Sequence, residues 1–331
     1  MLRFIARRLL YMLPMTLVIT VASFAIIQLP PGDYLTTLTA RMSDQGTDVD
    51  QAQLAALRER YGLDESIWVQ YWRWISAIVV HGDFGHSFEW NQPVAALLGQ
   101  RLPLTIVLAV ATLALTWLIA FPIGVYSATR QYSWGDYFFS VLGFLGLAIP
   151  NFMIALALMY LSHRVFGASV GGLFSPEFVD AQWNLGKLLD LLGHLWIPVV
   201  VLATAGTASL VRILRANLLD ELRKPYATAA RARGLDERRL LIRYPLRMAL
   251  NPFVSTVGWI LPALVSGEII VSQVVTIPTT GPLLLGALMS QDMYLAGSII
   301  LMVSVLTLVG TLLSDIALAA LDPRVRLGVA R

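Results

Sequence analysis

The side chains of this sequence that could take part in acid–base chemistry or metal binding are few and scattered. Its four histidines are His81, His86, His163 and His194. Only His81 and His86 are near neighbours, and two imidazoles supply half of the ligands that a closed metal site needs. The sequence contains no cysteine, which removes thiolate metal sites, disulfides and cysteine nucleophiles. We therefore expect no metal site.

The motifs of nucleotide binding and hydrolysis are also missing. A phosphate-binding loop has the pattern GxxxxGK[ST], and here Gly186-Lys187 is followed by Leu188. The HExxH pattern of zinc hydrolases does not occur. We therefore predict a protein that is not an enzyme and that holds no cofactor of its own.

The elements that position the remaining polar residues are predicted to be membrane-spanning helices. The 331 residues are 57% hydrophobic and 14% charged, whereas soluble domains have roughly 25% charged residues. Six apolar segments are long enough to cross about 30 Å of hydrocarbon at about 1.5 Å per residue. These segments are residues 9–29, 103–126, 138–162, 195–214, 253–276 and 296–318. The predicted fold class is an all-α integral membrane protein with six transmembrane helices.

The basic residues predict which side of the membrane each connection faces. Lys and Arg accumulate in the cytoplasmic connections of membrane proteins. With both termini in the cytoplasm, the inside connections hold seventeen of the 24 Lys and Arg residues, and the outside connections hold the other seven. We predict four regions: an N-terminal anchor helix at 1–29, an extracytoplasmic segment at 30–102, a membrane core at 103–318 with a cytoplasmic loop at 215–252, and a cytoplasmic tail at 319–331.

A cleaved signal peptide is the alternative for the N-terminus. The first apolar segment is longer than the usual core of a signal peptide, and residues 29–33 contain no small-x-small cleavage site. An uncleaved anchor helix is therefore favoured.

The extracytoplasmic segment contains an amphipathic, aromatic-rich run. Its bulky residues include Trp68, Tyr71, Trp72, Trp74 and Ile75. Such aromatic residues suit a helix that lies at the outer membrane surface. Packing of the same residues against the outer ends of the helical bundle is an equally open alternative.

The connection between the fourth and fifth apolar segments carries the signals of two short helices. Pro225 suits a first helical turn, where its missing N–H costs little. Gly234 can adopt the left-handed conformation that ends a helix, and Asp236 can cap a second helix that ends or kinks at Tyr244-Pro245. We predict that this loop binds a partner through Tyr226, Ala229, Ala230, Arg231, Arg233, Gly234 and Leu235.

The basic patch of this loop does not indicate nucleic-acid binding. Arg231, Arg233, Arg238 and Arg239 lie between two membrane spans, and the cytoplasmic bias of positive charge accounts for them. Membrane lipid, and not nucleic acid, is the expected surrounding.

Small and polar residues in the fifth apolar segment form a stripe. The stripe repeats at intervals of three and four residues and consists of Ser255, Gly258, Pro262 and Ser266. Such side chains are more typical of helix contacts than of a lipid-facing surface. A helix-packing seam and the wall of a solute path remain equally open from the spacing. Pro262 would loosen the helix near mid-membrane, which favours a gate.

Further polar residues in the spans are candidates for a solute path. Glu268 is a carboxylate inside the fifth segment, where an ionisable group is a functional candidate; pairing with Arg164 or Lys187 is the alternative. Pro150-Asn151 interrupts the third segment, and Ser209 lies in the fourth, which Pro198 interrupts; broken helices often border a translocation path. The predicted path residues are Ser255, Gly258, Pro262, Ser266, Glu268, Asn151 and Ser209.

Short motifs along nearly the whole chain resemble one family. The loop sequence Thr228-Ala229-Ala230, followed by Gly234, is similar to that family's EAA-x3-G pattern, with Thr228 in place of the glutamate. The remaining matching motifs are Arg7-Arg8-Leu9 with Pro14, Pro31-Gly32-Asp33, Gly82-Asp83-Phe84-Gly85 with Ser87, and Leu321-Asp322-Pro323-Arg324. The chain thus resembles the transmembrane subunits of ABC importers, in the oligopeptide, dipeptide and nickel permease family.

This resemblance implies a fold and a set of partners. The fold is the type I ABC importer permease fold, a five-helix core plus an N-terminal helix, in the bacterial inner membrane. The partners are a second related permease, two P-loop ATPases that use ATP and Mg²⁺, and an extracytoplasmic binding protein. The loop at 215–252 would couple to an ATPase, and the chain would form half of a pore. Oligopeptides or dipeptides are the predicted substrates, with oligosaccharides, opines or nickel as alternatives.

An ion-coupled secondary transporter is the alternative from another class. Such transporters need buried ionisable groups for coupling and often contain inverted repeats. Glu268, with Asp315 near the inner end of the sixth segment, is the candidate here, and the six segments show no inverted repeat. The ABC importer subunit is therefore favoured.

Overall fold

Helices make up most of the residues that the structure describes. The computed structural model describes residues 2–29, 34–44, 65–167, 171–179, 181–182, 184–256, 258 and 268–321, and no β-strand occurs among them. The α-helices are α1 (Leu2–Gln28), α2 (Tyr34–Asp44), α3 (Ile67–Ser76), α4 (Val94–Thr129), α5 (Trp134–Ala148), α6 (Asn151–Phe166), α7 (Leu185–Leu222), α8 (Pro225–Ala232), α9 (Glu237–Arg243), α10 (Pro245–Ser255), α11 (Glu268–Val275), α12 (Thr280–Met289) and α13 (Met293–Leu321). A π-helix, Ala77–His81, continues α3.

Several of these helices are long and apolar enough to cross a membrane. Within the described residues, α1, α4, α7 and α13 each meet this condition as single helices. The pairs α5 with α6 and α11 with α12 meet it when each pair is counted as one broken span, which gives up to six spans. The predicted all-α membrane fold is confirmed.

The third predicted span, residues 138–162, is sharply broken. Helix α5 ends at Ala148, α6 begins at Asn151, and the two helices are bent by 104°. Pro150 is the cause, because it has no N–H to donate and it disfavours a helical conformation at Ile149, which is extended. The sequence predicted an interruption at Pro150-Asn151, but not a bend of this size.

The fourth predicted span, residues 195–214, lies within the much longer helix α7. The side-chain oxygen of Asn184 accepts a hydrogen bond from the Lys187 N–H and caps the start of this 38-residue helix. Helix α7 therefore begins at Leu185, before the predicted start of the span. The predicted interruption at Pro198 is wrong, because the proline lies within α7, which continues to Leu222. A proline inside a helix can be accommodated without ending it.

The chain divides into two compact units, each with its own buried core. The first unit contains residues 1–9, 106–277 and 306–331, and the second contains residues 10–105 and 278–305. In the second unit, α3 packs on α1 through aromatic rings. The ring centroid of Phe24 lies 5.5 Å from that of Tyr71 and 5.7 Å from that of Trp74.

In the first unit, an ion pair joins α5 to α7. The Asp136 carboxylate accepts two hydrogen bonds from the Arg215 guanidinium, at 3.0 and 2.8 Å, and a third from the Tyr132 N–H at 3.0 Å. The Asp136 side chain is only 3% exposed and that of Arg215 is 28% exposed, so the carboxylate is shielded from water and the guanidinium partly so. It fixes the turn between α4 and α5 against the C-terminal half of α7.

Candidate functional site

The loop between α7 and α10 folds as the sequence predicts. Pro225 is the first residue of α8, and Arg233 and Gly234 follow its last residue, Ala232. Gly234 has a φ of +76°, in the left-handed region, and its N–H donates to the Arg231 carbonyl at 2.9 Å. The predicted helix end is therefore confirmed.

The second short helix starts at the predicted cap. The Asp236 carboxylate accepts hydrogen bonds from the N–H groups of Arg238 and Arg239, at 3.2 and 3.4 Å. Helix α9 then ends at Arg243, and Pro245 begins α10. The order helix, turn, helix is confirmed.

Side-chain contacts of Arg231 hold α8 against its neighbours. Its Nε lies 2.7 Å from Glu237 Oε1, and its Nη1 donates to the Leu222 carbonyl at 3.2 Å. One side chain thus ties α8 both to the start of α9 and to the last residue of α7. The contact of Arg231 with a partner stays a prediction.

Tyr226 ties the first turn of α8 to the end of α7. Its phenol donates a hydrogen bond to Glu221 Oε2 at 2.6 Å. The centroid of its ring lies 6.4 Å from the ring centroid of Tyr244. Burial, and secondly the bond to Glu221, raise the pKa of the Tyr226 phenol well above its ordinary range. Tyr226 therefore remains a proton donor at any physiological pH.

The outer face of α8 is exposed and made of small side chains. Ala227, on the inner side of α8, is fully buried. Thr228, Ala229 and Ala232 are exposed, and Ala230 is half-buried. Small side chains let a partner approach the helix backbone closely. Both ends of α8 are fixed to neighbouring helices, through Tyr226 and Arg231.

The residues predicted to line a solute path have different surroundings. Ser255 ends α10, is exposed, and donates to the Pro252 carbonyl at 2.7 Å. A Cβ at Gly258 would lie 3.5 Å from Cα of Thr311 on α13, so Gly258 lies where two helices pack. Pro262 and Ser266 lie outside the described residues.

Glu268, Asn151 and Ser209 are all described. The Glu268 side chain is 1% exposed and accepts a hydrogen bond of 3.5 Å from Ser272, one turn further along α11. Asn151 is the first residue of α6, and both it and Ser209 are half-buried.

A cavity of about 480 Å³ lies between α4, α5 and α7. Its walls are mainly aliphatic and aromatic, and they also include Thr204, Thr207, Arg212 and Arg215. None of the described path residues lines this cavity. Sequence reasoning missed it, because a cavity between three helices leaves no periodic signal in any one of them.

Two family models together match most of the chain. Residues 120–327 match the model described as the binding-protein-dependent transport system inner membrane component, and residues 1–109 match that of the N-terminal part of such a membrane component. The chain belongs to this family. The resemblance seen in the short motifs is therefore confirmed, and the protein is a multi-pass inner-membrane subunit of an ABC importer.

Two curated relatives are similar to this family member over almost their whole length. The oligopeptide transport system permease protein AppB of Bacillus subtilis is 37% identical over 324 residues, which are 97% of this chain and 98% of AppB. The nickel import system permease protein NikB of Staphylococcus aureus is 27% identical over 320 residues, which are 97% of this chain and 90% of NikB. Both relatives are permease subunits, and the family is one of transport components.

One motif of this permease has a structural explanation in the second unit. The Ser87 hydroxyl donates to Asp292 Oδ2 at 2.5 Å, and the same oxygen accepts the Glu89 N–H at 3.2 Å. The second carboxylate oxygen accepts the Leu295 N–H and so caps the start of α13. Ser87, the last residue of this motif, therefore anchors the beginning of α13. Sequence reasoning missed Asp292, although an Asp directly before an apolar run is a usual helix-start signal.

Proposed function

We propose that α8 is the docking helix through which an ATPase subunit drives this permease. The observation that carries the proposal is the exposed face of Thr228, Ala229 and Ala232 on a helix fixed at both ends. Arg231 and Tyr226 supply the fixing contacts, to Glu237 and Glu221. A short, rigid helix with small side chains fits a groove in a partner and moves as a body when the partner moves.

The proposed mechanism converts closure of the ATPase dimer into movement of the spans. ATP binding closes two P-loop ATPases and draws together the docking helices of this permease and of a second, related permease. The pull on α8 reaches α7 through Leu222 and Glu221, and the spans rock from inward-open to outward-open. Hydrolysis then resets the machine. The permease makes and breaks no covalent bond and holds no cofactor, because ATP and Mg²⁺ are bound by the ATPases.

The proposed orientation places both termini and α8 in the cytoplasm. It is supported by the seventeen basic residues that this arrangement puts inside, against seven outside. An extracytoplasmic binding protein would deliver the substrate to the opposite surface. Together with the second permease, this chain would form half of the translocation pore.

We propose peptides, either oligopeptides or dipeptides, as the substrates. The identity of 37% to an oligopeptide permease, against 27% to a nickel permease, supports peptides over nickel. Oligosaccharides and opines are two further substrate classes that the family resemblance implies. Calorimetric titration of the partner binding protein with each class tests this choice, and peptide binding alone is the expected result.

Protection of single cysteines tests the docking and the orientation together. The chain has no native cysteine, so Ala229→Cys and Ser43→Cys, both at exposed positions, are matched probes. In the permease pair without ATPases, a membrane-impermeant maleimide should label Ala229→Cys only from the cytoplasmic side and Ser43→Cys only from the opposite side. Adding the ATPases should protect Ala229→Cys and leave Ser43→Cys unchanged. Equal labelling of Ala229→Cys with and without ATPases would overturn the docking assignment.

We propose that the fifth span lines the substrate path or its gate, with Ser266 on the path and Gly258 in a packing seam. Ser266→Leu adds bulk that lipid tolerates and a narrow pore does not, so the complex should assemble and hydrolyse ATP but transport less solute. Gly258→Leu is the matched control, because its side chain would meet Thr311 and should reduce assembly. If Ser266→Leu transports at the parental rate, the third and fourth spans become the better candidates, with Asn151 or Ser209.

A further inference from the structure

The two faces of α3 have opposite environments within the second unit. Gln70, Tyr71 and Trp74 are buried, whereas Trp68 and Trp72 are each 69% exposed. Because Trp68 and Trp72 are four residues apart on a helix, they lie on the same side. The π-helix that follows adds two more exposed apolar residues, Val79 and Val80. Large apolar side chains are therefore displayed along one side of a helix whose opposite side is packed.

The contacts of the buried face fix the depth of α3 along α1. The Tyr71 hydroxyl lies 2.9 Å from the Thr20 hydroxyl, and the Gln70 side chain accepts a hydrogen bond from Gln28 at 3.2 Å. Phe24 lies between these two positions and contacts the Tyr71 ring. The interval from Thr20 to Gln28 is about 12 Å of helix, so α3 lies beside the last two turns of the membrane-spanning helix α1.

The stripe of α1 that α3 covers continues along the span as exposed apolar surface. Leu13, Leu17, Thr20, Phe24 and Ile27 follow one another at intervals of four and three residues, so they share one face of α1. Thr20, Phe24 and Ile27 are buried, whereas Leu13 and Leu17 are 68% and 57% exposed. In an inner-membrane subunit, two exposed leucines within a span are suited to contact lipid chains. The exposed side of α3 therefore adjoins a lipid-facing surface at the end of the span.

We propose that α3 lies in the membrane interface at the C-terminal end of α1, with Trp68 and Trp72 inserted among the lipid headgroups and upper acyl chains. Tryptophan suits this depth, because its ring is apolar and its indole N–H can still reach water or a headgroup. The occupant of this face is thus the bilayer itself. The two tryptophans anchor the segment that also packs on α1 through Tyr71 and Trp74. The proposal rests on membership of an inner-membrane family and is independent of the docking role of α8.

Spin labels at single cysteines test this placement in the assembled transporter. The probes are Trp68→Cys and Trp72→Cys in lipid nanodiscs, with Leu17→Cys as the lipid reference and Ser43→Cys as the aqueous reference. The collision rates of each label with oxygen, which concentrates in the bilayer, and with a water-soluble nickel chelate are measured. Both probes should give an oxygen-to-nickel ratio several-fold above that of Ser43→Cys and no higher than that of Leu17→Cys.

Three results would overturn the proposal. The first is a ratio equal to that of Ser43→Cys, which would place the tryptophans in water. The second is low collision with both reagents, which would indicate a second permease over this face. The third is loss of nickel collision only after the binding protein is added, which would make the face a docking site for that protein. The parental tryptophans give an independent measurement, because bromolipids labelled near the headgroup should quench the parent more than the Trp68→Phe/Trp72→Phe variant.

Discussion

Replacing Gly234 with valine is expected to uncouple the permease from its ATPases while the chain still inserts into the membrane. Gly234 has a φ of +76°, which a β-branched residue adopts only with strain. Strain of about 1–2 kcal/mol changes an equilibrium by roughly tenfold, so the ratio of native to non-native conformations of the turn after α8 should fall about tenfold. Substrate-stimulated ATPase activity of the purified complex should therefore fall about tenfold or more.

The control for this prediction separates the effect of backbone strain from the effect of added side-chain volume. A Cβ added at Gly234 has no heavy atom within 4 Å, so side-chain volume alone should be tolerated. Asparagine adopts the left-handed conformation more readily than most residues with a Cβ. Gly234→Asn should therefore retain most of the ATPase activity. Equal activity in Gly234→Val and the parent would show that this turn does not matter for coupling.

Removing the Asp136 carboxylate is expected to cause the largest loss of stability. Asp136→Ala leaves the Arg215 guanidinium without its bidentate partner and the Tyr132 N–H without its acceptor. Loss of one member of a buried ion pair costs about 3–5 kcal/mol, and because Arg215 is 28% exposed we expect about 3 kcal/mol. Thermal unfolding of the purified permease, followed by size-exclusion chromatography after heating, should show a clearly lowered midpoint.

A second aspartate provides the matched control for Asp136. Asp220 is exposed near the end of α7, so Asp220→Ala removes the same charge without opening a buried pair. Its midpoint should stay close to that of the parent. Similar midpoints for Asp136→Ala and Asp220→Ala would contradict the assigned role of the pair.

Local signals in the sequence were sufficient for the loop that carries α8. Pro225, Gly234 and Asp236 each specify one backbone feature, namely a helix start, a left-handed turn and a helix cap, and each feature is present. The membrane spans were predictable for a similar reason, because about twenty apolar residues in sequence have few stable environments outside a membrane. These features depend on near neighbours in the chain.

Features that depend on distant residues were not predictable in the same way. The pair of Ser87 with Asp292 joins residues separated by 205 positions, and that of Asp136 with Arg215 joins residues separated by 79. Nothing in the spacing of either residue indicates its partner. The size of the bend at Pro150 was also missed, because a proline can kink a helix or end it, and the packing of the two halves decides between these outcomes.

The predictions for the exposed face of α8 concern contacts with a partner. The sequence predicted that Ala229 and Gly234 belong to a docking loop, and their exposure fits that prediction without testing it. It also assigned Arg231 to the partner contact, which stays a prediction; within the chain, the side chain contacts Glu237 and the Leu222 carbonyl. A long basic side chain has many partners within reach, and the sequence alone does not select among them.

Solute uptake by reconstituted proteoliposomes tests the central claim most directly. The liposomes contain this permease with its second permease and ATPases, ATP is enclosed at the cytoplasmic face, and the binding protein with labelled peptide is added outside. We predict uptake that requires ATP, the ATPases and the binding protein together, and that is lost in Gly234→Val. Uptake by the permease alone, driven by a proton or sodium gradient and abolished by Glu268→Gln, would instead make it an ion-coupled transporter and contradict the account.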